Sequence, residues 1–171
     1  MKKYFSSGVY SGYKSGLREL YNNEARACRN SLHIEGSNPE IHITINPTEK
    51  LFTIEGRDSE GITVNVFHKS LRILGVSSNF DSKEIGQMGM GFAGYTMIFE
   101  AMKLDSYARD TNEKWSVLAD GGINFKVLGN PTMNKHGTRL SGTYKDNINI
   151  DEMFDHIKVL SRFSHVKTII H

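Results

Sequence analysis

Cysteine is all but absent from this 171-residue chain: Cys28 stands alone, which excludes an intrachain disulfide and any cysteine-based zinc cluster and suits a reducing compartment. Proline is scarce, at 3 residues, and no apolar stretch approaches the ~18 residues of a membrane span. Lys2 and Lys3 are followed by no apolar run, so nothing at the start reads as a secretory signal. Neither sign of charge dominates. Lys and Arg number 21 against 19 Asp and Glu, and the resulting +2 gives no electrostatic reason to expect nucleic acid or membrane as a partner. Together these absences point to a soluble, cytoplasmic chain.

What is present suits one domain over residues 1–171: apolar residues make up 38% and glycine contributes 16 more positions, enough to bury a core. Residues 1–15, rich in Ser, Gly and Tyr, read as an arm. From Leu17 to Leu32, steps of 100° gather Leu17, Leu20, Tyr21, Ala25, Cys28 and Leu32 on one side, with Glu19, Asn23, Arg26 and Asn30 opposite, which predicts an amphipathic helix. Ile41, Ile43 and Ile45 alternate with His42 and Thr44, and LFTIEG follows a short Pro-containing turn, so an antiparallel hairpin is predicted. A second helix is expected over 63–75 and a polar loop over 75–88. GMGFAGYTMIFEAMKL reads as a glycine-rich entry into a buried helix.

Strands are then expected at Lys103–Arg109, Lys114–Ala119, Asn124–Leu128 and Thr138–Tyr144. A helix over Asp151–Phe163, capped by Asp151, and a short strand over Val166–Ile170 complete the chain. This order predicts an α/β chain of the α+β kind: a two-layer sandwich with a mixed, mostly antiparallel sheet and helices on one face. Ending on a strand at His171, the chain reads as the N-terminal fragment of something longer.

The residues that carry chemistry centre on Gly86, Gly89, Gly91 and Gly94, because glycines opening a helix let backbone N–H groups approach phosphates. A phosphate-loop frame runs from Gly86 to Gly91, but Phe92 and Ala93 follow where lysine and a hydroxyl residue are needed. A dinucleotide frame, implying an oxidoreductase, uses Gly89, Gly91 and Gly94, with Asp110 at about the expected 20 residues further on. That frame should follow an apolar strand, and here it follows the charged FDSKEIGQ. The seven histidines show no His-x-x-x-His spacing, which leaves nucleotide-borne Mg²⁺ as the expected metal.

The whole string IGQMGMGF resembles the glycine box of the GHKL ATPases, in the form found in ninety-kilodalton heat-shock chaperones and topoisomerase VI B-subunits. Three more segments follow the family's order. ELYNNEARA is similar to its first box, with Glu19 and Asn23 at the matching positions. GRDSEGI is similar to its second box, although Ser59 and Glu60 replace the first glycine and the spacing is one residue short. Gly137–Thr138 resembles the Gly-Thr that opens a late strand.

The resemblance implies the Bergerat ATP-binding fold and Mg-dependent ATP binding with slow hydrolysis, acting as a conformational switch and linked to dimerisation. Glu19 would be the general base and Asn23 the Mg²⁺ ligand, while Asp58 would anchor adenine, with Gly61 and Ile62 shaping its pocket and Thr138 reaching it through water. Gly86, Gln87, Met88, Gly89, Met90, Gly91 and Phe92 would hold the phosphates, and residues 75–88 would form a lid bringing Ser77, Ser78 and Asn79 to them. Arg26 departs from the family, standing where many members carry an acid. It motivates an alternative, a module that binds ATP or ADP without turnover.

Overall fold

The computed structural model describes residues 12–71, 94–120 and 124–171. Helix α1 (Tyr13–Ser31) comes first and buries Leu17, Leu20, Tyr21, Ala25 and Cys28, the apolar face that the periodicity predicts. Strands β1 (Glu40–Asn46) and β2 (Leu51–Arg57) form the expected antiparallel hairpin, with Ile43 opposite Ile54. Helix α2 (Val64–Leu71) follows, and beyond the undescribed residues comes α3 (Tyr95–Ile98), a helix of 4 residues.

Here the structure corrects the sequence reading. The buried helix expected after the glycines ends at Ile98, and β3 (Phe99–Tyr107) takes over, hydrogen-bonded antiparallel to a strand on each side. A strand with two neighbours is buried on the core face, so its apolar content imitates that of an enclosed helix. Strands β4 (Lys114–Asp120), β5 (Asn124–Gly129) and β6 (Gly137–Tyr144) lie close to their expected positions. Helix α4 (Ile150–Arg162) is capped by Asn149, not Asp151: the Asn149 side chain accepts from the Glu152 N–H at 3.2 Å. Strand β7 (Lys167–Ile170) is last.

Among the described residues the seven strands form one sheet in the order β5-β4-β3-β6-β2-β1-β7, antiparallel throughout except for the parallel pair of β1 and β7. The fold is therefore the expected α+β sandwich with a mixed, mostly antiparallel sheet. Strand alternation sends one parity inward. A row of Ile43, Ile54, Leu140, Leu104 and Val117 crosses five strands and forms the middle of the core. Helix α1 packs on β1 and β2 and touches α3 and α4, while Phe67 of α2 and Met153 and Ile157 of α4 join the same core.

The next row toward the end of the sheet is different. It reads Ile41, Gly56, Thr138, Ser106 and Trp115, so a glycine and two hydroxyls replace aliphatic side chains. Thr138 of that row lies on the floor of the site, with the others beneath and beside it.

Candidate functional site

Three segments far apart in sequence meet over this floor. Helix α1 contributes Leu20, Asn23, Glu24 and Ala27, the Glu60–Thr63 segment contributes Gly61 and Ile62, and β6 contributes Thr138 and Leu140. They line a cleft of about 780 Å³, solvent-open mouth included, with Leu104 and Phe67 completing its apolar walls.

The wall opposite α1 is fixed by hydrogen bonds. Ile62 N–H donates to Ser106 Oγ at 2.9 Å, and its carbonyl accepts from Ser106 Oγ at 2.8 Å and from Trp115 Nε1 at 2.7 Å. Gly61 sits at φ 67°, and a Cβ there would run into the Tyr107 backbone. The Glu60 carbonyl is held by the Arg109 N–H at 2.8 Å, and Phe67 packs on Trp115 with ring centroids 4.8 Å apart and the rings tilted by 41°. Rigid backbone and aromatic packing therefore set one side of the cleft before any ligand enters.

Glu24 occupies the floor. Both of its carboxyl oxygens lie 2.7 Å from Thr138 Oγ1, the Gly56 backbone N–H donates to it, and the residue is only 5% exposed. Burial pushes its carboxyl up to about 7 from 4.5, against the opposing pull of the Thr138 and Gly56 hydrogen bonds and with a further upward push from Glu55. Gly56 makes the arrangement fit, since a Cβ on it would collide with Glu24 Oε2.

The structure brings four of the sequence-predicted residues to this cleft: Asn23, Gly61, Ile62 and Thr138. Asn23 Oδ1 accepts a hydrogen bond from Arg26 Nη2 at 3.2 Å, and Arg26 also lines the cleft. Glu19 lies one turn before Asn23, partly exposed, with Arg18 Nε 3.9 Å from its carboxylate. Further toward the helix start, Gly16 packs against Gly94. The residues expected to bind phosphate, Gly86, Gln87, Met88, Gly89, Met90, Gly91 and Phe92, and the lid residues Ser77, Ser78 and Asn79, lie outside the described residues.

Asp58 is not brought to the cleft. Alternation in β2 points Phe52, Ile54 and Gly56 inward, and Asp58 lies past the strand end at φ 57°. Its carboxylate accepts from the Asn38 N–H at 2.7 Å and from Arg109 Nη2 at 2.5 Å. Burial alone would raise this carboxyl, but those two partners outweigh burial and hold it below its usual range. Asp58 thus ties the loop before β1 to the turn after β3. The dinucleotide frame is not supported either. Gly94 leads through α3 into the antiparallel β3, where that reading needs a parallel β-α-β unit, and Asp110 is exposed in the following turn.

Glu24 is the residue that the sequence reading missed. The signal was available: Glu24 stands four residues after Leu20 and four before Cys28, a carboxyl inside the buried stripe of the helix. An inward glycine at the end of β2 was its counterpart.

No family model matches the chain. It is similar to the chaperone protein HtpG of Mesorhizobium japonicum, at 27% identity over 154 residues, covering 77% of this chain and 24% of that protein. The chain spans about a quarter of the length of the curated relative it matches.

Proposed function

We propose that this chain is a GHKL-type ATP-binding domain that works as a conformational switch, with the nucleotide base in the cleft between α1, the Glu60–Thr63 segment and β6. The observation that carries the reading is that Asn23, Gly61, Ile62 and Thr138, drawn from three motifs in the family's order, line one cleft. The similarity to a chaperone agrees with it, since the glycine box resembles the chaperone form.

In this reading Leu20, Ile62, Phe67, Leu104 and Leu140 exclude water from the base. The helix axis then runs from Glu24 past Asn23 and Glu19 to Gly16, where Gly94 closes the undescribed glycine segment. Base at the Glu24 end and phosphates toward Gly94 is the orientation that follows. Glu19, on the phosphate side, would orient and deprotonate water. A second copy of the chain is the partner that the resemblance implies for turnover.

Mg²⁺ at Asn23 does not fit the described residues. The Asn23 oxygen accepts from Arg26, so a cation there would sit beside a guanidinium. This favours a second reading, binding without turnover. One experiment separates the two: titrate wild type and Glu19→Ala with ATP and follow phosphate release. The first reading expects equal binding and loss of turnover in Glu19→Ala. Equal turnover in both proteins dismisses Glu19 as base, and binding with no phosphate released by wild type selects the second reading.

A further inference from the structure

Glu24 is more elaborately held than a core residue needs to be. Its carboxyl lies on the cleft floor among apolar walls, fixed by Thr138 Oγ1 at 2.7 Å and by the Gly56 N–H, in a space that exists only because residue 56 lacks a Cβ. Resting on the ATP-binding reading above, we propose that Glu24 is the base-reading residue of this cleft and that it selects adenine over guanine.

The selection follows from hydrogen-bond chemistry. Adenine presents on one edge a donor, the exocyclic amino group, beside an acceptor ring nitrogen, whereas guanine presents two adjacent donors. A carboxylic acid offers one O–H donor and one carbonyl acceptor, the complement of adenine; a carboxylate offers two acceptors, the complement of guanine. With burial holding the carboxyl at about 7, the acid form prevails below neutrality. Glu55 of β2 adds an upward push to that of burial, whereas the hydrogen bonds from Thr138 and Gly56 pull the carboxyl down without overcoming burial; Cys28, one turn along α1, is a neutral thiol raised to about 12. Arg26 of α1 and Glu60 of the opposite wall line the same cleft, and Asp58 lies near enough to act on Cys28.

Base preference is therefore linked to pH, because ATP binding by the acid form weakens as Glu24 ionises. The test is calorimetric titration of the full chain with ATP and with GTP at about pH 6 and about pH 8.5, for wild type, Glu24→Gln and Glu24→Ala. The expected wild-type result is an ATP preference at the lower pH and a loss of ATP affinity on the order of thirty-fold at the higher, the ratio a titration centred near 7 produces. Glutamine carries a fixed donor and acceptor, so Glu24→Gln should keep the ATP preference at both pH values, with the pH effect gone. Glu24→Ala should bind both nucleotides weakly and alike.

Wild-type binding of ATP with an unchanged pH dependence in Glu24→Gln overturns the assignment while leaving the ATP-binding reading in place. So does an undiminished ATP preference in Glu24→Ala. Binding of neither nucleotide by wild type overturns both.

Discussion

Glu24 sits in the apolar stripe of α1 with a hydroxyl and a backbone amide as its partners, and its protonation is tied to folding. Its carboxyl stands at about 7 in the folded chain against 4.5 ordinarily, so the folded state holds the proton more tightly than the unfolded one. The stability this confers is complete below about pH 4.5 and is lost as pH rises through about 7, a change on the order of 3 kcal/mol. Urea unfolding across that window should show the decline in wild type and a nearly flat profile in Glu24→Gln. A decline that persists in the variant would assign it to another group.

Gly56 is the matching test. Gly56→Ala drives a methyl into the carboxyl and should cost about 1–3 kcal/mol. Combined with Glu24→Ala the cost should shrink, giving a coupling above ~0.5 kcal/mol in the double-mutant cycle. Additive effects would show that the two residues do not share the space.

Elements were legible in the sequence to the extent that their own pattern decided them. The stripe of α1 and the isoleucine hairpin of β1 needed no tertiary information, and both stand except at Leu32, which lies past the end of α1 and is exposed. Residues 99–102 were misread as helix, although the strand expected from Lys103 stands, because what makes them a strand lies in β4 and β6, which flank β3 on both sides. That Asn23, Gly61, Ile62 and Thr138 line one cleft agrees with the order of the motifs that carry them. Asp58 was misplaced by a length effect: one residue more or less at the end of β2 decides whether a side chain faces the core or leaves the sheet.

The consequence is testable at this scale. Asp58→Ala breaks the bonds to Asn38 and Arg109 and should destabilise the chain by about 1–3 kcal/mol. Its ATP affinity should stay within about twofold, because Asp58 does not line the cleft. A large loss of affinity with little loss of stability would return Asp58 to the site.

For the whole molecule, the sheet does two jobs with two adjacent rows. The row of Ile43, Ile54, Leu140, Leu104 and Val117 is continuous core, and the row through Gly56 and Thr138 opens into the cleft. Among the described residues no group of three or more His, Cys, Asp or Glu could hold a metal ion, and no helix is long and apolar enough to cross a membrane.

Since ligand binding stabilises only the folded chain, ATP at a hundredfold excess over its dissociation constant should add about 2.7 kcal/mol, whereas NAD at the same concentration, sharing the adenine but not the terminal phosphates, should raise the melting temperature much less. A shift with NAD and none with ATP would reverse the choice between the two glycine-frame readings.

On the proposed function, ATP occupies the cleft beside α1. The most direct measurement is calorimetric titration of wild type and Ala27→Trp with ATP, since Ala27 lines the cleft, is only partly buried, and an indole there would obstruct it. One ATP should bind per wild-type chain and, in a variant that melts like wild type, the affinity should be at least about tenfold weaker, a loss of ~1.4 kcal/mol. No saturable binding by wild type, or unchanged binding by Ala27→Trp, would contradict it.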